Sequence, residues 1–133
     1  MKLYFFAVLR VFLGSVFIVY AFLKFFGIQF PKMHVDADIN NIDPVTLVWF
    51  FFGYSQPYML VIATGELFAG ILTAIPKTSK LGILFYFPIA ANIAAVNWCF
   101  SLPIDVKILS TFLTLSSFCL LVKDLDFYKK LLH

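Results

Sequence analysis

A few polar side chains lie inside otherwise apolar stretches of this sequence, and these are the residues that could do chemistry. Arg10 lies in RVFLGSVFIVYAFLK, and no other charge occurs between Leu3 and Leu23. Glu66 and Asn92 lie in two further apolar stretches. Ionisable groups at membrane depth are costly, so they pair with each other or face a cavity, and they often mark substrate or proton pathways. The pattern therefore predicts a polar site inside a membrane protein.

The composition agrees with a membrane location. Of the 133 residues, 62% are hydrophobic, 20% are aromatic and only 13% are charged. A soluble domain of this size could not bury so much apolar surface. The net charge of +3 comes from cations at helix ends and forms no basic patch, so nucleic acid is excluded as a partner and the lipid bilayer is expected. The sequence has no metal-ligand cluster, and no catalytic residue can be named from it.

The elements that position these residues are predicted to be four membrane-spanning helices in one domain, 1–133. Each is an apolar run close to the length of about 20 residues that a spanning helix needs. Short links between the later spans make them antiparallel neighbours, so the expected fold is an all-α, four-transmembrane-helix antiparallel bundle. The predicted spans are 3–26, 56–75, 80–100 and 103–122, followed by an amphipathic tail over 123–133.

A further apolar stretch between the first two spans, 44–54, is too short to cross a bilayer. It contains PVTLVWFFFGY and follows Asp43-Pro44, a typical helix start. It is predicted to be an interfacial or re-entrant helix. The alternative is that it extends the second span, with a kink at Pro57.

The distribution of cations predicts the orientation in the membrane. One side carries six lysines, namely Lys2, Lys77, Lys80, Lys123, Lys129 and Lys130. The long loop on the other side carries Asp36, Asp38 and Asp43, with Lys24 and Lys32 as the basic residues of that side. The positive-inside rule then places both termini in the cytoplasm. The first apolar run contains Arg10 and lacks a small-residue cleavage site, so it is expected to be retained as a helix and not removed as a signal peptide.

With a helical rise of about 1.5 Å per residue, Arg10, Glu66 and Asn92 are expected at similar depths in the membrane. They predict an Arg10–Glu66 ion pair with Asn92 as a third contact. Asn97 is expected to point away from Asn92 and to lie at the outer rim. Residues that share helical faces with these groups complete the predicted lining of an intrabundle cavity: Gly14, Phe17, Lys24, Lys107, Thr111 and Thr114.

Two interpretations of the polar set stay open on residue pattern alone. In one, Arg10 and Glu66 are structural and fix the register of the helices. In the other, they line a cavity that binds a small molecule or passes a proton. The ligand, and any cofactor, is unknown at this level.

Four stretches follow one another in order over nearly the whole chain: RVFLGSVFIVYAFLKF, GELFAGIL, Pro-Ile-Ala-Ala-Asn and PIDVKILS. On these motifs the chain resembles the DoxX family of small four-helix membrane proteins. In the first motif Arg10, Gly14, Phe17 and Lys24 match the family pattern, whereas Ala21 stands where glycine is common.

This resemblance implies an inner-membrane protein connected with redox metabolism. It suggests an accessory protein that binds a quinone-like or lipid-like ligand, with a membrane redox partner subunit or a homo-oligomer as the possible assembly. The alternatives are a small proton-coupled carrier that titrates at Glu66, and a purely structural subunit of a membrane oxidoreductase.

Overall fold

The computed structural model describes residues 2–30 and 39–131, and six α-helices lie within these ranges. They are α1 Lys2–Phe25, α2 Pro44–Tyr54, α3 Gln56–Ala74, α4 Ser79–Cys99, α5 Ile104–Lys123 and α6 Leu125–Leu131. Helices α1, α3, α4 and α5 are long and apolar enough to cross a membrane. The predicted all-α fold of four spans is confirmed. Asp36 and Asp38 of the predicted acidic loop lie outside the described residues.

Helices α2 and α3 are separate, and Ser55 alone divides them. Ser55 has extended backbone dihedrals (φ −115, ψ 114) and its side chain accepts a hydrogen bond from the backbone N–H of Tyr58. Asp43 caps the start of α2 in the same way, through the backbone N–H of Thr46. Pro57 lies in the first turn of α3, where a missing N–H costs nothing. The alternative of one continuous helix kinked at Pro57 is therefore wrong.

The long helices pack in chain order, α1 on α3, α3 on α4 and α4 on α5, and the bundle closes only loosely between α5 and α1. Glycines set the closest approaches. A Cβ on Gly14 would clash with the Gly70 carbonyl, and a Cβ on Gly82 would clash with the backbone of Thr73. These contacts fix the register of α3 against both of its neighbours.

The bundle is tightly packed at one end, which we call the Lys80 end. Phe17 of α1 stacks on Tyr86 of α4 with ring centroids 3.8 Å apart, and the Tyr86 hydroxyl donates to the Leu13 carbonyl at 2.7 Å. Helix α6 is tied to this end because the Tyr128 hydroxyl donates to the carbonyl of Lys80 at 2.6 Å. The opposite end, where α1 finishes at Phe25, is called the Lys24 end, and it is hollow.

Candidate ligand-binding site

A buried ion pair joins α1 to α3 near the Lys24 end. Lys24 Nζ lies 3.0 Å from Glu66 Oε1 and 3.0 Å from Oε2, and it donates to Gln29 Oε1 at 2.8 Å. Lys24 is 7% exposed and Glu66 is 1% exposed. Removing two charges from water is costly, and the pair is tolerable because each charge meets its opposite at hydrogen-bond distance.

The predicted Arg10–Glu66 pair is wrong, and the direction of helical side chains explains why. Every Cα–Cβ bond leans toward the N-terminus of its helix. Helices α1 and α3 are antiparallel. The side chain of Lys24 therefore leans toward the Lys80 end, into the bundle, while the side chain of Glu66 leans toward the Lys24 end and meets it. Arg10 leans away from Glu66. Because Gly14 lies against Gly70 and Ala74, the backbone of Arg10 is also displaced from the level of Glu66 by about 15 Å.

Arg10 instead belongs to the Lys80 end. Its Nη2 lies 3.8 Å from Asp124 Oδ2, next to the end of α5. Lys123 also approaches Asp124, with Nζ 3.6 Å from Oδ1. This long, partly exposed pair links α1 to the α5–α6 junction across the loosely closed side of the bundle.

A cavity of about 550 Å³ occupies the Lys24 end, and Lys24 and Glu66 lie in its wall. Helices α1, α3, α4 and α5 form its sides, and α2 covers it with Val45, Val48, Trp49 and Phe52. Phe30 contacts two of these rings, with centroids 4.7 Å from Trp49 and 5.0 Å from Phe52. The result is a mostly apolar chamber, with aromatic rings along part of its wall and one ion pair in that wall.

Amide and hydroxyl groups provide further polar contacts in this cavity. Asn97 Nδ2 donates to Ser110 Oγ at 2.9 Å and to the Val106 carbonyl at 3.3 Å. Asn92 also lines the cavity, although its side chain lies at the surface of the chain. Asn97 was expected at the outer rim, pointing away from Asn92, and both residues line this chamber because it is wide enough to follow α4 over several turns.

Of the other residues predicted to line the cavity, most lie elsewhere. Gly14 and Phe17 belong to the packed core toward the Lys80 end. Lys107 and Thr111 flank Trp98 at the α4–α5 surface, since Lys107 Nζ lies 5.1 Å from its ring and Thr111 Oγ1 accepts its indole N–H at 2.8 Å. Thr114 donates to the carbonyl of Ser110 within its own helix at 2.8 Å.

Several residues that line the cavity were not predicted from the sequence. Tyr20 is one helical turn before Lys24, a spacing that could have been used to predict its position on the same face. Gln29 and the aromatic face of α2 carry no such signal. The turn at Gly27 after α1 brings Gln29 to Lys24, and the placement of α2 over the cavity is a feature of the tertiary structure.

The chain is similar in sequence to a known bacterial protein. The chain is 38% identical over 118 residues to the uncharacterized protein YwoB of Bacillus subtilis (strain 168). The match covers 89% of this chain and 75% of that protein. The chain belongs to the YwoB family. The name of this relative assigns no activity, so the resemblance to DoxX proteins stays a prediction.

No protein-family model and no solved structure matches the chain. The proposed function of this chain therefore rests on the geometry of its cavity. The chain is a small integral membrane protein, and its described ranges contain four helices long and apolar enough to span a membrane.

Proposed function

We propose that the protein is a membrane-embedded accessory protein of redox metabolism that binds a quinone-like or other small amphipathic molecule. The observation that carries the proposal is the Lys24–Glu66 pair in the wall of the 550 Å³ cavity. Ligand sites typically have volumes of about 300–1,000 Å³ and apolar walls with a few placed polar groups. The resemblance to the DoxX family supports the link to redox metabolism.

The residues present fit a quinone ring in polarity and shape. A quinone carries two carbonyl oxygens, which need hydrogen-bond donors, on a flat ring that packs against aromatic side chains. Tyr20 and Asn92 each carry donors and line the cavity, while Trp49 and Phe52 supply aromatic walls. When bound, a quinone would supply two-electron redox chemistry, and this chain would hold it and exclude water from it.

We also propose that the protein lies in the inner, cytoplasmic membrane with both termini in the cytoplasm. The described lysines at or near the Lys80 end support this orientation through the positive-inside rule. They are Lys77 in the α3–α4 connection, Lys80 in the first turn of α4, Lys123 at the end of α5, and Lys129 and Lys130 in α6. Reporter fusions would test it. A fusion at the C-terminus should report a cytoplasmic location, and a periplasmic or extracellular signal would contradict the orientation.

Binding can be measured through tryptophan fluorescence, because the chain has two tryptophans and only Trp49 lines the cavity. In Trp98→Phe protein reconstituted in nanodiscs, the uncharged short-chain quinone decylubiquinone should quench Trp49 emission with saturation. The matched control is Trp49→Phe protein, whose Trp98 lies on the surface of α4 and should show only linear, collisional quenching. Linear quenching in both proteins would contradict the proposal.

A second candidate, a proton-coupled carrier, is favoured by the same carboxylate. Glu66 lines the cavity and could exchange a proton with a bound substrate if its bond to Lys24 opened. Glu66→Gln protein that remains folded would then lose pH-dependent flux in proteoliposomes. A protein that binds decylubiquinone and shows no pH-dependent flux would exclude the carrier and retain the binding function.

A further inference from the structure

Helices α3 and α4 touch at the Lys80 end and separate toward the Lys24 end. At Gly82 the two backbones are so close that a Cβ would clash with Thr73. At Gly65, farther along α3, a Cβ would meet nothing within 4 Å. Pro88 lies on α4 between these levels and removes a backbone hydrogen bond from that helix. The two helices therefore leave a gap on the Lys24 side of Pro88.

The cavity reaches the protein surface in this gap. Val61 lines the cavity and is nevertheless 68% exposed. Pro88 and Asn92, on the facing side of α4, also line it and are exposed. Asn92 lies about 10 Å along α4 from the helix end at Cys99, so the gap opens onto lipid and not onto water.

The side-chain amide of Asn92 makes no hydrogen bond to any residue that the structure describes. A polar group left unpaired in an apolar medium costs about 2–7 kcal/mol. The neighbouring exposed Thr64 avoids that cost, because its hydroxyl donates to the Leu60 carbonyl at 2.7 Å. Asn97 Oδ1, deeper in the cavity, likewise accepts no bond from the described part of the chain. The opening and the interior thus both offer free hydrogen-bonding groups.

The charges of the cavity wall cancel. Within the described ranges, its charged lining residues are Lys24 and Glu66, and they neutralise each other. An ionic head group would lose its hydration without gaining a counter-ion, whereas an uncharged group that accepts and donates hydrogen bonds would satisfy the Asn92 amide and Asn97 Oδ1.

We propose that the ligand is an uncharged, lipid-soluble molecule with a hydrogen-bonding head, and that it enters sideways from the bilayer between α3 and α4, past Val61 and Asn92. This inference rests on the proposed binding function and adds the ligand's charge and route to it. Asn92 makes the first polar contact, and the head then moves inward toward Asn97 and the ion pair.

The rate of Trp49 quenching after rapid mixing with decylubiquinone tests the route, in the Trp98→Phe nanodisc preparation. Val61→Phe places a larger side chain in the gap and should slow quenching several-fold. Val19→Phe is the matched control, because Val19 is 54% exposed on α1 and does not line the cavity. A Val61→Phe rate equal to that of the parent protein, or equal slowing in the control, would overturn the route. A lower final extent with an unchanged rate would overturn it too.

Asn92→Leu tests the polar contact, since it keeps the shape and removes the amide. Loss of one hydrogen bond of about 1 kcal/mol should weaken equilibrium binding about fivefold without lowering the melting temperature. Unchanged binding would overturn the role of Asn92. For the charge, decanol should compete with decylubiquinone, and decanoate at equal membrane-bound concentration should not. Equal competition would overturn the preference for an uncharged head.

These outcomes are distinct from failure of the proposed function. If Trp49 in the parent protein shows no saturable quenching, both the binding function and the entry route are rejected. Saturable quenching with a normal rate in Val61→Phe protein leaves the binding function standing and rejects only the route.

Discussion

Lys24 and Glu66 lie 42 positions apart in the chain and meet at 3.0 Å inside the bundle. A lysine one residue from a helix end would ordinarily extend its side chain outward to the water. Here it turns inward, because a carboxylate on the neighbouring antiparallel helix leans toward it. This pair lies in the wall of the cavity, in the hollow half of the protein.

Breaking the pair from one side should destabilise the protein strongly. Lys24→Met leaves the buried Glu66 carboxylate without a counter-ion, and the loss of a partner in such a pair costs about 3–5 kcal/mol. The melting temperature in detergent should fall markedly. The double variant Lys24→Met, Glu66→Leu removes both charges and should recover most of the stability. A double variant no more stable than Lys24→Met would contradict the pairing.

Arg10 should contribute less to stability than Lys24, because its ion pair is long and partly exposed. Arg10→Met should lower the free energy of unfolding by about 1 kcal/mol or less and should leave decylubiquinone binding unchanged. The charge-swapped variant Arg10→Asp, Asp124→Arg should restore stability relative to Arg10→Asp alone. Loss of binding in folded Arg10→Met protein would show that Arg10 acts at the cavity after all.

The glycines of α3 should differ sharply in their tolerance of larger residues. Gly70→Leu should destabilise the protein by about 1–3 kcal/mol or prevent folding, because a Cβ there already meets the Gly14 carbonyl. Gly65→Leu is the matched control on the same helix, where a Cβ meets nothing within 4 Å. Thermal unfolding of both variants in one detergent measures the difference. Equal destabilisation would contradict the packing of α1 on α3.

Tyr128 should make the folded protein lose stability at high pH. Burial raises the pKa of the Tyr128 hydroxyl to about 12, with a further increase from Asp124 and a partial offset by Arg10. Because the folded state holds the proton more tightly than the unfolded state, this contribution is complete below pH 10. It is lost as the pH rises toward 12.

Tyr128→Phe removes both the titrating group and the hydrogen bond to Lys80. It should lower the free energy of unfolding by about 1 kcal/mol at neutral pH and flatten the part of the pH profile between 10 and 12 that belongs to Tyr128. Unfolding measured in detergent at several pH values checks both effects. An unchanged slope in Tyr128→Phe protein would contradict the assignment.

Element boundaries were predictable because each one has a local cause. The apolar runs match the thickness of a bilayer core, and the breaks between them carry capping or turn residues such as Asp43-Pro44 and Ser55. The short helix at Pro44–Tyr54 also follows from local pattern. These features need no information about which helices become neighbours.

The sequence by itself determined that Glu66 is buried, that a cation would neutralise it and that four helices would surround it. Only the tertiary structure decided which cation does so. Arg10 and Lys24 share one face of α1, and the choice between them depends on how far α1 slides along α3 and on the lean of side chains toward each helix's N-terminus. Close packing at Gly14 and Gly70 fixes the position of α1 along α3. In this register Lys24 reaches Glu66 from the Lys24 end, and Arg10 lies beside Asp124. A register set by contacts between distant segments leaves no periodic signal in either segment alone.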